Sequence, residues 1–206
     1  MGTRFLIMAI AALCVLGSAL TAQADPPTIQ ARDVVKQGVI EIGLNAGFLQ
    51  GNEAIPSSKA NRTATYVLPR IGMVLTQNMG KDLFWGNVEL QFEPTYAHYW
   101  KPFQADLLAG TVVLKYNFLA FGRWMPFWDF GLGVLWTDLA PRIPEESTKF
   151  NFLIESGPGA QYFATERIAL TLGVRFQHIS NAGIGVRNMG LNATLGYVGV
   201  SFFLPH

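Results

Sequence analysis

The chain has little cysteine and little charge, and each scarcity removes a class of protein. Its only cysteine, Cys14, lies within the first 24 residues, so the remainder has neither a disulfide nor a thiol for chemistry. Charged residues make up 14% of the chain and the net charge is +1, with no basic run or acidic tail, which argues against nucleic-acid binding. After residue 24 no apolar stretch is long enough for a membrane helix. The three histidines are scattered and no carboxylate pair has ligand spacing, so we expect no metal and no cofactor.

The N-terminus predicts export from the cytoplasm. Arg4 precedes the apolar run Phe5–Leu16, and small residues before Asp25 supply an A-x-A cleavage site. An uncleaved anchor is the alternative, but the run is shorter than the roughly 20 residues that span a membrane. We therefore predict a signal peptide at 1–24 and a single domain at 25–206, with a polar periplasmic leader at 25–37.

Aromatic residues and glycines are frequent in this sequence. Aromatic residues make up 13% of the chain, there are 21 glycines, and apolar side chains recur at every second position in eight segments. The predicted strands cover about 40–48, 66–75, 87 to a loop near 99–104, 107–118, 124–136, 150–163, 168–180 and 192–203. The connections after strands one, three, five and seven look long, and the others short, as in barrels with extracellular loops and periplasmic turns.

These features predict an all-β fold, an eight-stranded antiparallel transmembrane β-barrel of the bacterial outer membrane. Two sets of side chains should face opposite ways. The inward set is expected to form a buried polar network and comprises Glu89, Glu93, Lys115, Glu155 and Arg175. The outward set is expected to form girdles at the membrane interfaces and comprises Trp85, Trp100, Trp124, Trp128 and Trp136. A soluble, lipocalin-like barrel is the alternative architecture, but the polar inward set argues against it.

The seventh strand carries the most informative pattern. Alternate residues from Ile168 to Phe176 are apolar, and the same face continues as His178 and Ser180. The parity of strand eight places Asn192 on this face, beside the histidine. In an outer membrane this position meets the ester-linked acyl chains of lipid A. Ser180 would be the nucleophile, His178 its base, and Asn192 the acceptor that orients the ring.

The run from Phe176 to Gly183, followed by Asn188, Gly190 and Asn192, resembles the site signature of the lipid A 3-O-deacylase (PagL) family. The resemblance is strongest over about 175–192. It implies an eight-stranded outer-membrane barrel that removes the ester-linked 3-hydroxyacyl chain at position 3 of lipid A.

The resemblance also implies roles for individual residues. His178 matches the base and Ser180 the nucleophile of the family. Asn188 matches an asparagine of the oxyanion hole, and Asn181 and Gly183 match the residues that follow the serine, where an N–H group would stabilise the oxyanion.

The chain departs from the family at one position, because Asn192 stands where the well-studied form has a glutamate. An acid from the fifth-to-sixth loop would be one replacement, and the amide oxygen of Asn192 another. We favour the amide, and expect the loop acids Asp138, Glu145 and Glu146 to be solvated.

Two functions follow from these patterns. The first is an outer-membrane serine esterase acting on lipid A, with lipopolysaccharide and outer-membrane lipids as its partners. Its basic loop residues Arg142, Lys149 and Arg187 would lie near the lipid A phosphates. The second is a non-catalytic barrel with a structural or adhesion role. Whether the protein forms a homodimer is left open.

Overall fold

Eight antiparallel strands close into one barrel in the order of the sequence. The computed structural model describes residues 29–52, 61–140 and 142–204, so the predicted signal peptide at 1–24 lies outside the described residues. The strands are β1 (Ile40–Gly51), β2 (Thr63–Val74), β3 (Gly86–Lys101), β4 (Ala105–Phe118), β5 (Trp124–Thr137), β6 (Phe150–Phe163), β7 (Ile168–Ser180) and β8 (Leu191–Leu204). Pairing of Ile40 with Leu204 and of Gly51 with Ala193 joins β1 to β8 and closes the barrel.

Each strand alternates between an exposed apolar side chain and a buried one, which is the pattern of a barrel with an apolar exterior. On β7, for example, Leu170, Leu172 and Val174 are about half exposed while Thr171 and Arg175 are buried. The predicted fold class is confirmed. Among the described residues, no helix is both long and apolar enough to cross a membrane.

Part of the interior holds a polar network, as the inward-facing charges predict, and another part holds a cluster of buried apolar side chains that includes Leu68 and Leu195. Arg175 is fully buried and its guanidinium bonds the carboxylates of Glu93, Asp129 and Glu155 at 2.6 to 3.1 Å. A second buried cation, Lys115, has its Nζ 2.7 Å from the Oε2 of Glu41. Buried charges of this kind are tolerated because each has a partner.

The lengths of the connections differ from the prediction on both sides of β3. This strand continues to Lys101, which leaves only residues 102–104 before β4. From Tyr96 to Trp100 aromatic side chains occur on both faces of the strand, so the alternation is hidden. The connection before β3, predicted to be short, spans 75–85 and contains the 3-10 helix Asp82–Phe84.

The described part of the leader, which starts at residue 29, packs against one end of the barrel. A short helix α1 (Ala31–Val34) lies at the barrel end where β1 begins and β8 ends, and Ala31 donates from its N–H to the Gly122 carbonyl. Ala31 and Val35 are fully buried in an apolar cluster there. Trp85 packs partly buried against the same cluster, so its predicted place in an exposed girdle is wrong, whereas the other four tryptophans are exposed on the outside.

At the opposite end, called the loop end below, two long connections pack on each other. Residues 138–149 join β5 to β6, and residues 181–190 join β7 to β8. Glu146 and Asn188 form an isolated antiparallel bridge between them. The buried pair Arg62–Glu145, at 3.2 Å, ties the first connection to the start of β2. These contacts pack the two connections together next to the last two residues of β7.

Candidate active site

β7 carries His178 and Ser180 outward at the loop end, and both are half-buried. The strand reaches this position because its period-2 pattern runs unbroken from Ile168, with no proline and no bulge in its pairing with β8. On β6, Ile154 stands opposite His178 and Phe152 opposite Ser180. The two polar side chains therefore continue an apolar stripe on the surface that faces acyl chains.

Asn192 is the cross-strand partner of His178. The two residues pair directly in the β7–β8 register, and the Asn192 Oδ1 lies 2.8 Å from the His178 Nδ1. Asn192 is buried, and an amide oxygen only accepts, so Nδ1 carries the ring proton and Nε2 is left as the basic nitrogen. The neutral amide thus selects the tautomer that a carboxylate would select.

Ser180 and His178 share a face, as alternate residues of a strand do. They are separated by about 7 Å of strand, a distance that two side chains leaning together can close. Within the described residues, no hydrogen bond joins the Ser180 Oγ to the histidine. Such contacts are commonly loose before substrate binds.

The loop 181–190 is organised around the buried side chain of Asn181. Its amide oxygen accepts from the N–H of Gly183 at 3.0 Å, and its amide nitrogen donates to the Arg187 carbonyl at 2.6 Å. Its own N–H donates to the Oδ1 of Asn188, also at 3.0 Å. The backbone N–H groups of Asn181 and Gly183 therefore already have acceptors inside the loop.

Asn188 differs from these two residues. Its side chain is exposed, and its Oδ1 is held by the Asn181 N–H, which directs the amide NH₂ away from that bond. In the described part of the chain no acceptor binds this NH₂ group. Ala182, between Ser180 and the rest of the loop, has φ of +52°, a conformation that non-glycine residues adopt rarely and often near functional sites.

Glu146 enters the site from the other loop, as one of the loop acids considered in the sequence analysis, although it was expected there to be solvated. Its side chain is fully buried, with Oε2 accepting from the amide of Asn181 at 2.8 Å and Oε1 from the N–H of Gly190 at 3.0 Å. Burial raises the pKa of this carboxyl group, and the N–H of Gly190 and the charge of His178 act in the opposite direction. The burial of Glu146 depends on contact between two loops that are distant in the sequence.

The expectation that all three loop acids are solvated is wrong for two of them. Glu145 is buried against Arg62, and Glu146 against Asn181 and Gly190. Polar groups that a loop folds inward need partners, and here both carboxylates have them. Asp138 is half exposed, as expected, and pairs with Lys149 at 2.6 Å.

The predicted basic residues lie at the loop end, and each has a local partner. The Arg142 guanidinium stacks 3.8 Å from the centre of the Phe103 ring. Arg142 and Lys149 both line a cavity of about 300 Å³ next to His98 and Asp106. Arg187 donates to the carbonyls of Ile143 and Glu146.

Within the described ranges, no group of three or more His, Cys, Asp and Glu side chains is arranged to hold a metal ion.

The chain matches the family model described as lipid A 3-O-deacylase (PagL) over residues 70–201. No curated protein sequence matches it significantly. The match includes β3 to β7, both packed loops and most of β8.

Solved structures show the same fold at low sequence identity. The crystal structure of the outer-membrane enzyme PagL superposes with a TM-score of 0.53 at 17% identity, covering 81% of this chain and 99% of that one. The N-terminal β-barrel domain of Pseudomonas aeruginosa OprF has a TM-score of 0.50 at 17% identity, covering 82% and 98%. Neisserial surface protein A has a TM-score of 0.50 at 18% identity, covering 81% and 99%.

Proposed function

Because the chain belongs to the lipid A 3-O-deacylase (PagL) family, whose members are hydrolases of the bacterial outer membrane, we propose that it is a serine esterase that removes the ester-linked 3-hydroxyacyl chain at position 3 of lipid A. The observation that carries the proposal is the 2.8 Å contact between His178 Nδ1 and Asn192 Oδ1 beside Ser180, on the lipid-facing surface.

In the first half of the reaction, the Ser180 Oγ forms a bond to the ester carbonyl carbon while the His178 Nε2 takes its proton. The carbonyl oxygen becomes an oxyanion, which the free NH₂ group of Asn188 stabilises. When the tetrahedral intermediate collapses, the ester C–O bond breaks and His178 returns the proton to the departing sugar oxygen. The products are an acyl-serine and the deacylated lipid A.

In the second half, water attacks the acyl-serine. His178 takes a proton from the water as its oxygen bonds to the acyl carbon, and gives that proton to the Ser180 Oγ as the ester breaks. The free 3-hydroxy fatty acid leaves and the serine is restored.

Apolar neighbours support a lipid substrate. Phe152 and Ile154 on β6 stand opposite Ser180 and His178, and Phe176 precedes them on the same face of β7. An acyl chain lying along this stripe would bring its ester to the level of Ser180, where the apolar surface ends.

The test is mass spectrometry of lipid A from a Gram-negative host that expresses the chain or its Ser180→Ala variant. Loss of one 3-hydroxyacyl mass with the parent chain, and not with the variant, is the expected result. Unchanged lipid A with both chains folded in the outer membrane would overturn the proposal and favour the non-catalytic barrel.

A further inference from the structure

Glu146 is a buried carboxylate that the reaction described above does not use. It lies in the loop 138–149, outside the barrel strands, and its side chain is fully buried. Its two oxygens accept from Asn181 and Gly190, and in the described part of the chain no cation pairs with it. Burying a carboxylate without a cation is costly, so an explanation beyond loop packing is needed.

Gly190 connects this carboxylate to the histidine. The N–H of Gly190 donates to Glu146 at 3.0 Å, and its α-carbon lies against the imidazole, since an added Cβ would be 2.7 Å from the His178 Cε1. The φ of +77° at this glycine permits that approach. Glu146 therefore holds the backbone on which the ring of His178 rests.

The carboxylate also acts on the histidine through its charge. Burial raises the pKa of Glu146 and the nearby charge of His178 lowers it, so the two groups attract each other across Gly190. The other groups that face the ring from neighbouring strands, Ile154 on β6 and Asn192 on β8, are uncharged. Arg187, on the same loop as Gly190, has its guanidinium on the carbonyls of Ile143 and Glu146.

We propose that Glu146 is a positioning residue that holds the Gly190 backbone against His178 and supplies, from the neighbouring loop, the negative charge that Asn192 lacks. This inference rests on the proposed function, because the imidazolium forms when His178 takes the Ser180 proton. It explains how a site with a neutral orienting amide retains a negative charge near its base.

Three variants of the full chain, purified in detergent micelles, test this inference. Glu146→Gln removes the charge at constant size. Glu145→Gln is the matched control, because it removes a buried carboxylate from the adjacent position, where the partner is Arg62. Asn192→Glu, alone and combined with Glu146→Gln, restores a charge on the other side of the ring. Deacylation of lipid A and the NMR titration of the His178 imidazole are measured for each.

We expect Glu146→Gln to slow deacylation at least about tenfold, since loss of the acid in serine proteases costs on the order of ten-thousand-fold. Asn192→Glu should raise the rate more in the Glu146→Gln background than in the parent. The midpoint of the imidazole titration should lie at lower pH in Glu146→Gln than in the parent, since a nearby anion favours the charged ring. Glu145→Gln should leave the midpoint in place.

Equal losses in Glu146→Gln and Glu145→Gln, without rescue by Asn192→Glu, would mean that Glu146 only holds the loop, and would overturn the inference. An active parent with an unchanged rate and midpoint in Glu146→Gln would also overturn it. If neither the parent nor any variant deacylates lipid A, the proposed function fails, and the titration alone decides: a shifted midpoint supports the coupling and an unmoved one overturns it.

Discussion

Two histidines lie on the outer face near the loop end, and each bonds a side chain on the neighbouring strand. The Nδ1 of His98 on β3 lies 2.8 Å from the Asp106 Oδ1 on β4, and the Nδ1 of His178 on β7 lies 2.8 Å from the Asn192 Oδ1 on β8. Both pairs are in direct register and both rings are half-buried.

The surroundings of the two pairs differ. Two residues after His98 is Trp100, whose ring packs edge-on at 4.6 Å, whereas two residues after His178 is Ser180. The turn after β3 spans only 102–104, whereas the loop after β7 holds Asn188 against the N–H of Asn181, the residue that follows the serine. We therefore place the proposed hydrolase site at His178 and not at His98, although the partner of His98 is a carboxylate. His98 lacks a serine two residues further along its strand and a loop with an available donor.

Replacing each histidine in turn should give the largest difference in deacylation rate between the two pairs. His178→Gln should reduce the deacylation rate by at least about a thousand-fold, because the base that activates the serine is lost. His98→Gln should leave the rate unchanged, since Trp100 and not a serine stands two residues further along its strand. Initial rates on lipid A in detergent micelles measure both, and similar losses in the two variants would contradict the distinction.

Removing the available donor should have the next largest effect. Asn188→Ala is expected to lower kcat by roughly a hundred- to a thousand-fold with little change in KM, because an oxyanion donor acts mainly in the transition state. Val186→Ala is the control, a highly exposed position on the same loop. If both substitutions change the rate equally, Asn188 is not the donor.

Alanine substitutions at two glycines of the loop 181–190 distinguish displacement of the His178 ring from backbone strain in the loop. Gly183 and Gly190 have φ of +81° and +77°, so replacement of either by alanine should cost about 1–2 kcal/mol of unfolding free energy. Only at Gly190 would the new Cβ press on His178, whereas at Gly183 it meets nothing within 4 Å. Gly190→Ala should therefore slow deacylation by roughly ten- to a hundred-fold.

Unfolding in urea, with heat-modified mobility in gels as a second readout, would measure the stability of both glycine variants. A similar rate loss in Gly183→Ala would show that strain in the loop, rather than displacement of the ring, limits the reaction.

The smallest effect is expected from exchanging the charges of the two acceptors. Asn192→Glu should raise the rate only about tenfold, well below the ten-thousand-fold effect of the acid in serine proteases, because Glu146 already supplies charge. Asp106→Asn should leave it unchanged. Kinetics at several pH values would measure both, and a decrease with Asn192→Glu would show that the neutral amide is required.

Much of the fold follows from the sequence because one physical rule governs most of the strands. Lipid on one side and a polar interior on the other impose a period of two, and β4 to β7 follow it closely. The rule also predicts the outward positions of His178, Ser180 and Asn192. It fails at the end of β3, where aromatic residues from Tyr96 to Trp100 occur on both faces and no contrast remains.

The resemblance indicates which residues of the β7–β8 loop belong to the site, but the packing of the two loops could not be predicted from the sequence. Glu146 is surrounded by polar and proline residues, like many solvated loop acids, and its burial depends on the β5–β6 loop folding onto the β7–β8 loop. The site signature includes Gly190, but it does not predict the approach of this glycine to the His178 ring or its bond to Glu146. Contacts between segments more than 30 residues apart carry no periodic signal.

The most direct test of the central claim is to find the covalent intermediate. Purified protein would be treated with a long-chain alkyl fluorophosphonate, a reagent that bonds to activated serine oxygens, and the modified residue located by peptide mass spectrometry. We expect one adduct on Ser180 that disappears in His178→Gln and persists in His98→Gln. Deacylation of lipid A by a protein that acquires no adduct at Ser180, or acquires it equally without His178, would contradict the account.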